Sequence, residues 1–100
     1  DAGVRAVIAT NTLGAPAPDA TTAGIGGGRL HPRSLEALRL LSGEIAAQKY
    51  PIDLIGCGGV EDGATYQAFV AAGARAVQYW SALVYRGPLA AALIENESRP

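Results

Sequence analysis

Three short stretches of this 100-residue sequence put ligand-binding residue types at the ends of apolar runs. Thr10-Asn11-Thr12 closes the run that begins at Val4. Gly58-Gly59 closes "IDLIGC", and Tyr79-Trp80-Ser81 closes "RAVQ". Hydroxyls and a carboxamide supply hydrogen bonds. Paired glycines just past a strand weaken it and allow a close approach to backbone. Backbone N–H groups at a helix start hold anions, and glycine lets the anion reach them. A second glycine cluster, Gly24, Gly26, Gly27 and Gly28, adds another such loop. The chemistry this predicts is a phosphate bound over Gly59. The plainer alternative is a tight strand-to-helix turn with no ligand.

Other polar residues carry less. Cys57 sits between glycines at a strand end and reads as a small buried side chain. His31 is a lone histidine beside Pro32 with no metal-ligand partner, and reads as solvated or at a helix entry. Arg29 and Arg86 could serve an anion, with surface or ion-pair roles at least as natural. Glu61 and Asp62 favour the start of the helix that follows; they do not make an acid–base pair. Tyr66 and Phe69 read as core.

The elements that must position these residues follow from the apolar pattern. Val4 to Thr10 predicts a buried strand. The Gly-, Pro- and Thr-rich segment after it predicts a long loop, of the kind that is functional or disordered. Ser34 is a natural N-cap for a helix in which Leu35, Leu38, Leu41 and Ile45 recur at helical spacing, with Lys49 near its end and Pro51 stopping it. Ile52 to Gly56 predicts a second strand. Asp62 can cap a second helix that ends at Gly73. Arg75 to Trp80 predicts a third strand, and "GPLAAALIENE" a last helix with Pro88 in its first turn. Apolar strands alternating with helices mean a parallel sheet covered by helices. In such folds ligands sit at the C-terminal strand ends, and in (β/α)8 barrels the loops after strands seven and eight often hold phosphate.

Composition sets the class. The chain is 49% hydrophobic and 17% charged with a formal net charge of -1, which describes a globular protein and gives no electrostatic reason for a nucleic-acid partner. One cysteine makes no internal disulfide, which favours a reducing compartment. No apolar run approaches the ~20 residues that span a bilayer, and the first residues lack the pattern of a signal peptide. The absence of any methionine leads to the expectation of a piece of a longer protein.

Taken in order and spacing, "IATNT", the glycine-rich loop ending in Gly28-Arg29, "SLEALRLL", "IGCGGV", "AAGARAVQ" and "SALVYRGP" resemble the C-terminal part of dihydroorotate dehydrogenase, a flavin enzyme of pyrimidine (UMP) biosynthesis built on a (β/α)8 TIM barrel. The resemblance implies that residues 1–100 are the C-terminal segment of that FMN-binding barrel domain, strands six to eight with their helices. It implies an oxidoreductase, a flavoprotein that oxidises dihydroorotate to orotate. Thr10 would lie near the flavin, and Asn11 and Thr12 would bind the pyrimidine, whose amide edge suits the donor and acceptor of one Asn side chain. Backbone amides around Gly28, Gly59, Val60, Trp80 and Ser81 would hold the FMN phosphate. The catalytic base and a flavin-contacting lysine belong to an earlier part of the barrel, so no catalytic residue is expected here and the rest of the barrel is required.

Ile25, Leu30, Leu13 and Trp80 depart from the usual family residues; Trp80 affects packing near the phosphate more than the backbone contacts there. "SALVYRGP" leans toward the membrane-associated class that passes electrons to quinone, which implies a location in the cytoplasm or on the cytoplasmic side of a membrane. Two alternatives stand beside this. A different FMN or phosphate-binding barrel, such as a pyrimidine reductase, would share the phosphate site, with Asn11-Thr12 as the discriminator. A truncated piece would have a structural role only.

Overall fold

The computed structural model describes residues 3–16, 18 and 22–100. Its elements in chain order are β1 (Ala6–Ala9), β2 (Leu13–Pro16), β3 (Thr22–Ile25), α1 (His31–Gln48), β4 (Asp53–Cys57), α2 (Gly63–Ala71), β5 (Ala74–Gln78), α3 (Ser81–Arg86) and α4 (Ala90–Ser98), with a 3-10 turn at Gly28–Leu30 leading into α1. The main sheet is parallel, in the order β1-β4-β5. β1 pairs with β4 from Ala6–Asp53 to Ala9–Gly56. β4 pairs with β5 from Leu54–Ala74 to Cys57–Gln78. This is the strand-helix alternation that the apolar pattern predicts.

One face of the sheet is covered. Leu38 from α1, Phe69 from α2 and Ile94 from α4 are buried against Ala9, Leu54 and Ala74. Phe69 explains one glycine of the β4 run. A Cβ at Gly56 would stand 2.8 Å from the Phe69 ring, so the strand is bare there to seat the aromatic. The other face is open: Ile8 is 54% exposed, and its register partner Ile55 is half-buried. Among the described residues, β1 and β5 each pair on one side only.

Local chemistry sets the helix ends. Asp62 caps α2 in a capping box: its carboxylate accepts from the Thr65 amide at 2.8 Å, and the Thr65 hydroxyl accepts from the Asp62 amide at 3.1 Å. Gly73 follows α2 with φ +111, and its amide bonds to the Val70 carbonyl at 3.1 Å. Lys49 ends α1 in the left-handed region, just ahead of Pro51.

The structure corrects three expectations. The segment after β1 is not an irregular loop throughout, because β2 and β3 form an antiparallel pair from Leu13–Ile25 to Pro16–Thr22. Ser34 is not a cap. α1 begins at His31 with Pro32 in its first turn, where a missing N–H costs nothing, and Ser34 is fully buried inside the helix. "SALVYRGP" is a helix of its own, α3, ended by Gly87 at φ 82, and Pro88 falls in the turn ahead of α4.

Candidate functional site

The C-terminal ends of β1, β4 and β5 meet around a cleft of about 170 Å³. Thr10, Asn11 and Thr12 reach it from the end of β1. Cys57, Gly58, Gly59 and Val60 come from the end of β4, and Tyr79, Trp80 and Ser81 from the end of β5. Gly26, Gly27 and Leu30 close it from the segment between β3 and α1. Seven of the eight residues to which the resemblance gives a binding role therefore share one cleft: Thr10, Asn11, Thr12, Gly59, Val60, Trp80 and Ser81. A wider depression at the opposite end of the strands, lined by Gly3–Arg5 and Tyr50–Asp53, gathers none of them.

Gly28 is the exception. It lies outside the cleft, and a Cβ there would stand 2.7 Å from a carboxylate oxygen of Glu61. Its neighbour Gly27 lines the cleft. Gly27 has φ +72, and a Cβ there would touch the Ser81 hydroxyl at 3.6 Å. Gly26 faces the same hydroxyl at the same distance.

Gly58 and Gly59 answer to packing. Both have positive φ, +123 and +80. A Cβ at Gly58 would run into the Ser34 side chain. One at Gly59 would lie 2.5 Å from the His31 nitrogen and 2.7 Å from the Gly27 carbonyl oxygen. What sits over Gly59 is therefore the start of α1. Its glycine is required by this chain's own backbone, while its amide remains at the rim of the cleft. Among the described residues, the amides of Gly59, Val60 and Ser81 donate to no carbonyl in the surrounding turns and caps.

The side chains are held unevenly. The Thr10 hydroxyl lies 2.6 Å from the Ser34 hydroxyl and donates to the Cys57 carbonyl at 3.4 Å. Ser34 thus tethers the end of β1 to α1. Asn11 and Thr12 are exposed. The Asn11 side-chain oxygen accepts from the Thr12 amide at 2.7 Å, and its NH2 group is a donor. Cys57 is half-buried, less enclosed than its place in the sequence indicates, and burial pushes its thiol above the usual range, away from nucleophile chemistry. Trp80 is 73% exposed. Among the described residues, no Asp, Glu, Lys or Arg lines the cleft.

The family model described as Dihydroorotate dehydrogenase matches residues 3–99. The chain belongs to the dihydroorotate dehydrogenase family. It is 41% identical over 96 residues to the dihydroorotate dehydrogenase (quinone) of Clavibacter michiganensis subsp. michiganensis, covering 87% of this chain and 27% of that protein. It is 35% identical over 95 residues to the enzyme of the same name from Pseudomonas paraeruginosa, covering 88% and 27%. The ligand-free enzyme of Eimeria tenella superposes with a TM-score of 0.78 at 27% identity, over 95% of this chain and 27% of that one. The chain thus spans about a quarter of the length of the relatives it matches.

Two residues of this dihydroorotate dehydrogenase family member bear on the cleft in ways its sequence hides. His31 is buried, not solvated. Its Nδ1 lies 3.3 Å from the Gly58 carbonyl oxygen, which puts the ring proton on Nδ1, and the ring meets Phe69 edge-on at 4.8 Å. Of the roles open to Arg86, the structure shows the ion pair: it grips Glu97 with two hydrogen bonds, at 2.6 and 2.9 Å. The pairing pushes the guanidinium further above its usual value and holds the Glu97 carboxyl below its own. Arg29 is exposed. Among the described residues, no group of three His, Cys, Asp or Glu side chains could hold a metal, and no helix is long and apolar enough to cross a membrane.

Proposed function

We propose that this chain supplies strands six to eight, as β1, β4 and β5, of the barrel of an FMN-dependent dihydroorotate dehydrogenase. The whole enzyme oxidises dihydroorotate to orotate and passes the electrons to a quinone, as the names of the relatives indicate. The observation that carries the reading is the single cleft in which a carboxamide, hydroxyls and free amides from three strand ends converge, in a chain that matches the family over almost its full length. Amides at Gly59, Val60 and Ser81 that, among the described residues, donate to no carbonyl of the surrounding turns fit a phosphate, with Gly26 and Gly27 beside them.

In this reading the amides of Gly27, Gly59, Val60, Trp80 and Ser81 hold the FMN phosphate, and Gly28 stands one residue outside the set. Thr10 lies beside the flavin, its hydroxyl fixed by Ser34. Asn11 and Thr12 bind the edge of the pyrimidine, for which the Asn11 NH2 is a donor. Bound flavin supplies the hydride acceptor. The base that takes the substrate proton comes from the part of the barrel outside this chain, and so does the remaining flavin contact surface.

Asn11→Ala in the full-length enzyme tests this. Losing polar partners of a bound ring costs ~1–3 kcal/mol, about 5- to 150-fold in kcat/KM, with flavin content unchanged. Loss of flavin with normal kinetics in the remaining holoenzyme would remove Asn11 from the substrate site.

A further inference from the structure

Two sets of amides border the cleft, and they belong to different strand-helix connections. Gly59 and Val60 lie between β4 and α2, and Ser81 opens α3 after β5. Donors on separate connections grip one anion only if the spacing between the connections is fixed. One side chain spans them.

Arg86 is the last residue of α3. Its Nη1 donates to the Glu61 carbonyl oxygen at 2.9 Å, in the connection between β4 and α2. The same guanidinium holds both carboxylate oxygens of Glu97, on α4. Glu97 in turn accepts from the Gly63 amide at 3.3 Å. Arg86 and Glu97 therefore fasten the backbone on either side of Asp62, the cap of α2, two residues beyond Val60. Close packing backs this up: a Cβ at Gly63 would stand 2.5 Å from the Glu97 carbonyl carbon, so the first turn of α2 rests directly on the end of α4. Gln67 adds a bond to the Ser98 carbonyl at 3.0 Å.

We propose that Arg86 and Glu97 are positioning residues for the cofactor phosphate: together they set the spacing between the Gly59-Val60 amides and the Ser81 amide. The inference rests on the phosphate reading given above. Neither side chain lines the cleft, so the effect passes through backbone. Arg86 uses a planar fork, with two bonds to one carboxylate and a third to a carbonyl. A lysine ammonium, a single point of charge, does not reproduce that geometry. Glu97 also does more than balance charge, because its Oε1 serves the Arg86 fork and the Gly63 amide at once. The Glu95–Arg99 pair on the same helix is exposed at both ends, holds only α4 and its last residues, and provides the control.

The test is made on the full-length apoenzyme by titrating FMN and, separately, riboflavin, which carries the same ring without the phosphate. Arg86→Lys and Glu97→Gln should each weaken FMN about tenfold, the low end of what losing an orienting contact costs a bound group, and leave riboflavin affinity unchanged. The double variant should be no worse than either single one, because both break one clamp. Glu95→Ala should leave both affinities as they are. Melting of each apoenzyme is followed in parallel. A lowered melting temperature with an unchanged FMN-to-riboflavin affinity ratio would make the pair a simple strut and overturn the proposal. A wild-type enzyme that binds the two flavins equally would overturn the phosphate reading itself, a result separable from failure of the variants alone.

Discussion

Gly59→Ala separates two reasons for a glycine. Gly59 and Gly87 both lie at positive φ, +80 and +82, so an alanine at either takes on backbone strain, ~1–3 kcal/mol. Their surroundings differ. Nothing lies within 4 Å of a Cβ at Gly87, while one at Gly59 would press on the His31 nitrogen, the His31 Cβ at 2.6 Å and the Gly27 carbonyl. Two of these three atoms are backbone, which cannot swing aside. Overpacking of this kind costs ~1–3 kcal/mol beyond the strain. In a protein of barrel size each kcal/mol moves the midpoint by about 2–4 °C. Gly59→Ala should therefore melt about 2–12 °C below Gly87→Ala, the range given by that overpacking cost. The assay is thermal unfolding of the full-length apoenzyme and its two variants, with no flavin present. Equal melting of the two would mean that the α1 entry yields to the extra methyl, and the packing argument would fail. The glycine pair would then regain its first explanation, the approach of a phosphate.

Two further outcomes follow from the same geometry. Asp62→Ala removes the α2 cap and should cost ~1 kcal/mol at neutral pH. The Thr65 amide, then the Thr65 hydroxyl, hold the Asp62 carboxyl below its usual range. The folded pKa thus lies below the unfolded one, and the stability it adds is complete above the unfolded value of about 4 and fades as pH falls through the folded one. Denaturant midpoints measured from pH 7 to 3 should show the gap between wild type and variant narrowing only at the acid end; a constant gap would show that the carboxylate charge is irrelevant. Trp80→Ala should shift FMN affinity by less than about threefold, ~0.6 kcal/mol, because the contact proposed is through the amide and the indole is largely exposed. A tenfold loss in flavin titration would show that the indole covers the cofactor.

The parts of this fold that the sequence reveals are those with a one-sided environment. β4 alternates, with Leu54 and Gly56 buried and Asp53 exposed, and α1 carries Leu38 at the centre of a helical stripe, so period and burial agree. The β2–β3 pair stayed hidden for the opposite reason. Leu13 is exposed and Gly14 pairs with Gly24, so neither face carries an apolar signal and the composition reads as loop. Ser34 shows how a correct local rule loses to a tertiary contact. A serine immediately before the first leucine of an apolar repeat is a fair cap, but the helix has already begun at His31, and the hydroxyl is spent on Thr10 across the top of β1.

The cleft divides in the same way. Strand ends are legible because apolar runs stop there, and this is why Thr10 to Thr12, Gly58 to Gly59 and Tyr79 to Ser81 could be named from sequence. What lies behind them is not legible, because it depends on which helix end packs on which turn. The His31 ring reaches Gly58 across 27 positions, and Arg86 reaches Glu61 across 25. Neither spacing matches a local motif. Both residues touch backbone carbonyls, which every residue type presents, so no partner in the sequence marks the contact. Both also hold the same connection: His31 at its entry from β4, Arg86 at its exit into α2. That connection has two glycines at positive φ and no regular structure of its own. Its shape is therefore set by α1 on one side and by α3 and α4 on the other. A turn so flexible in composition can offer fixed amides to a ligand only because three helices outside the cleft hold it still.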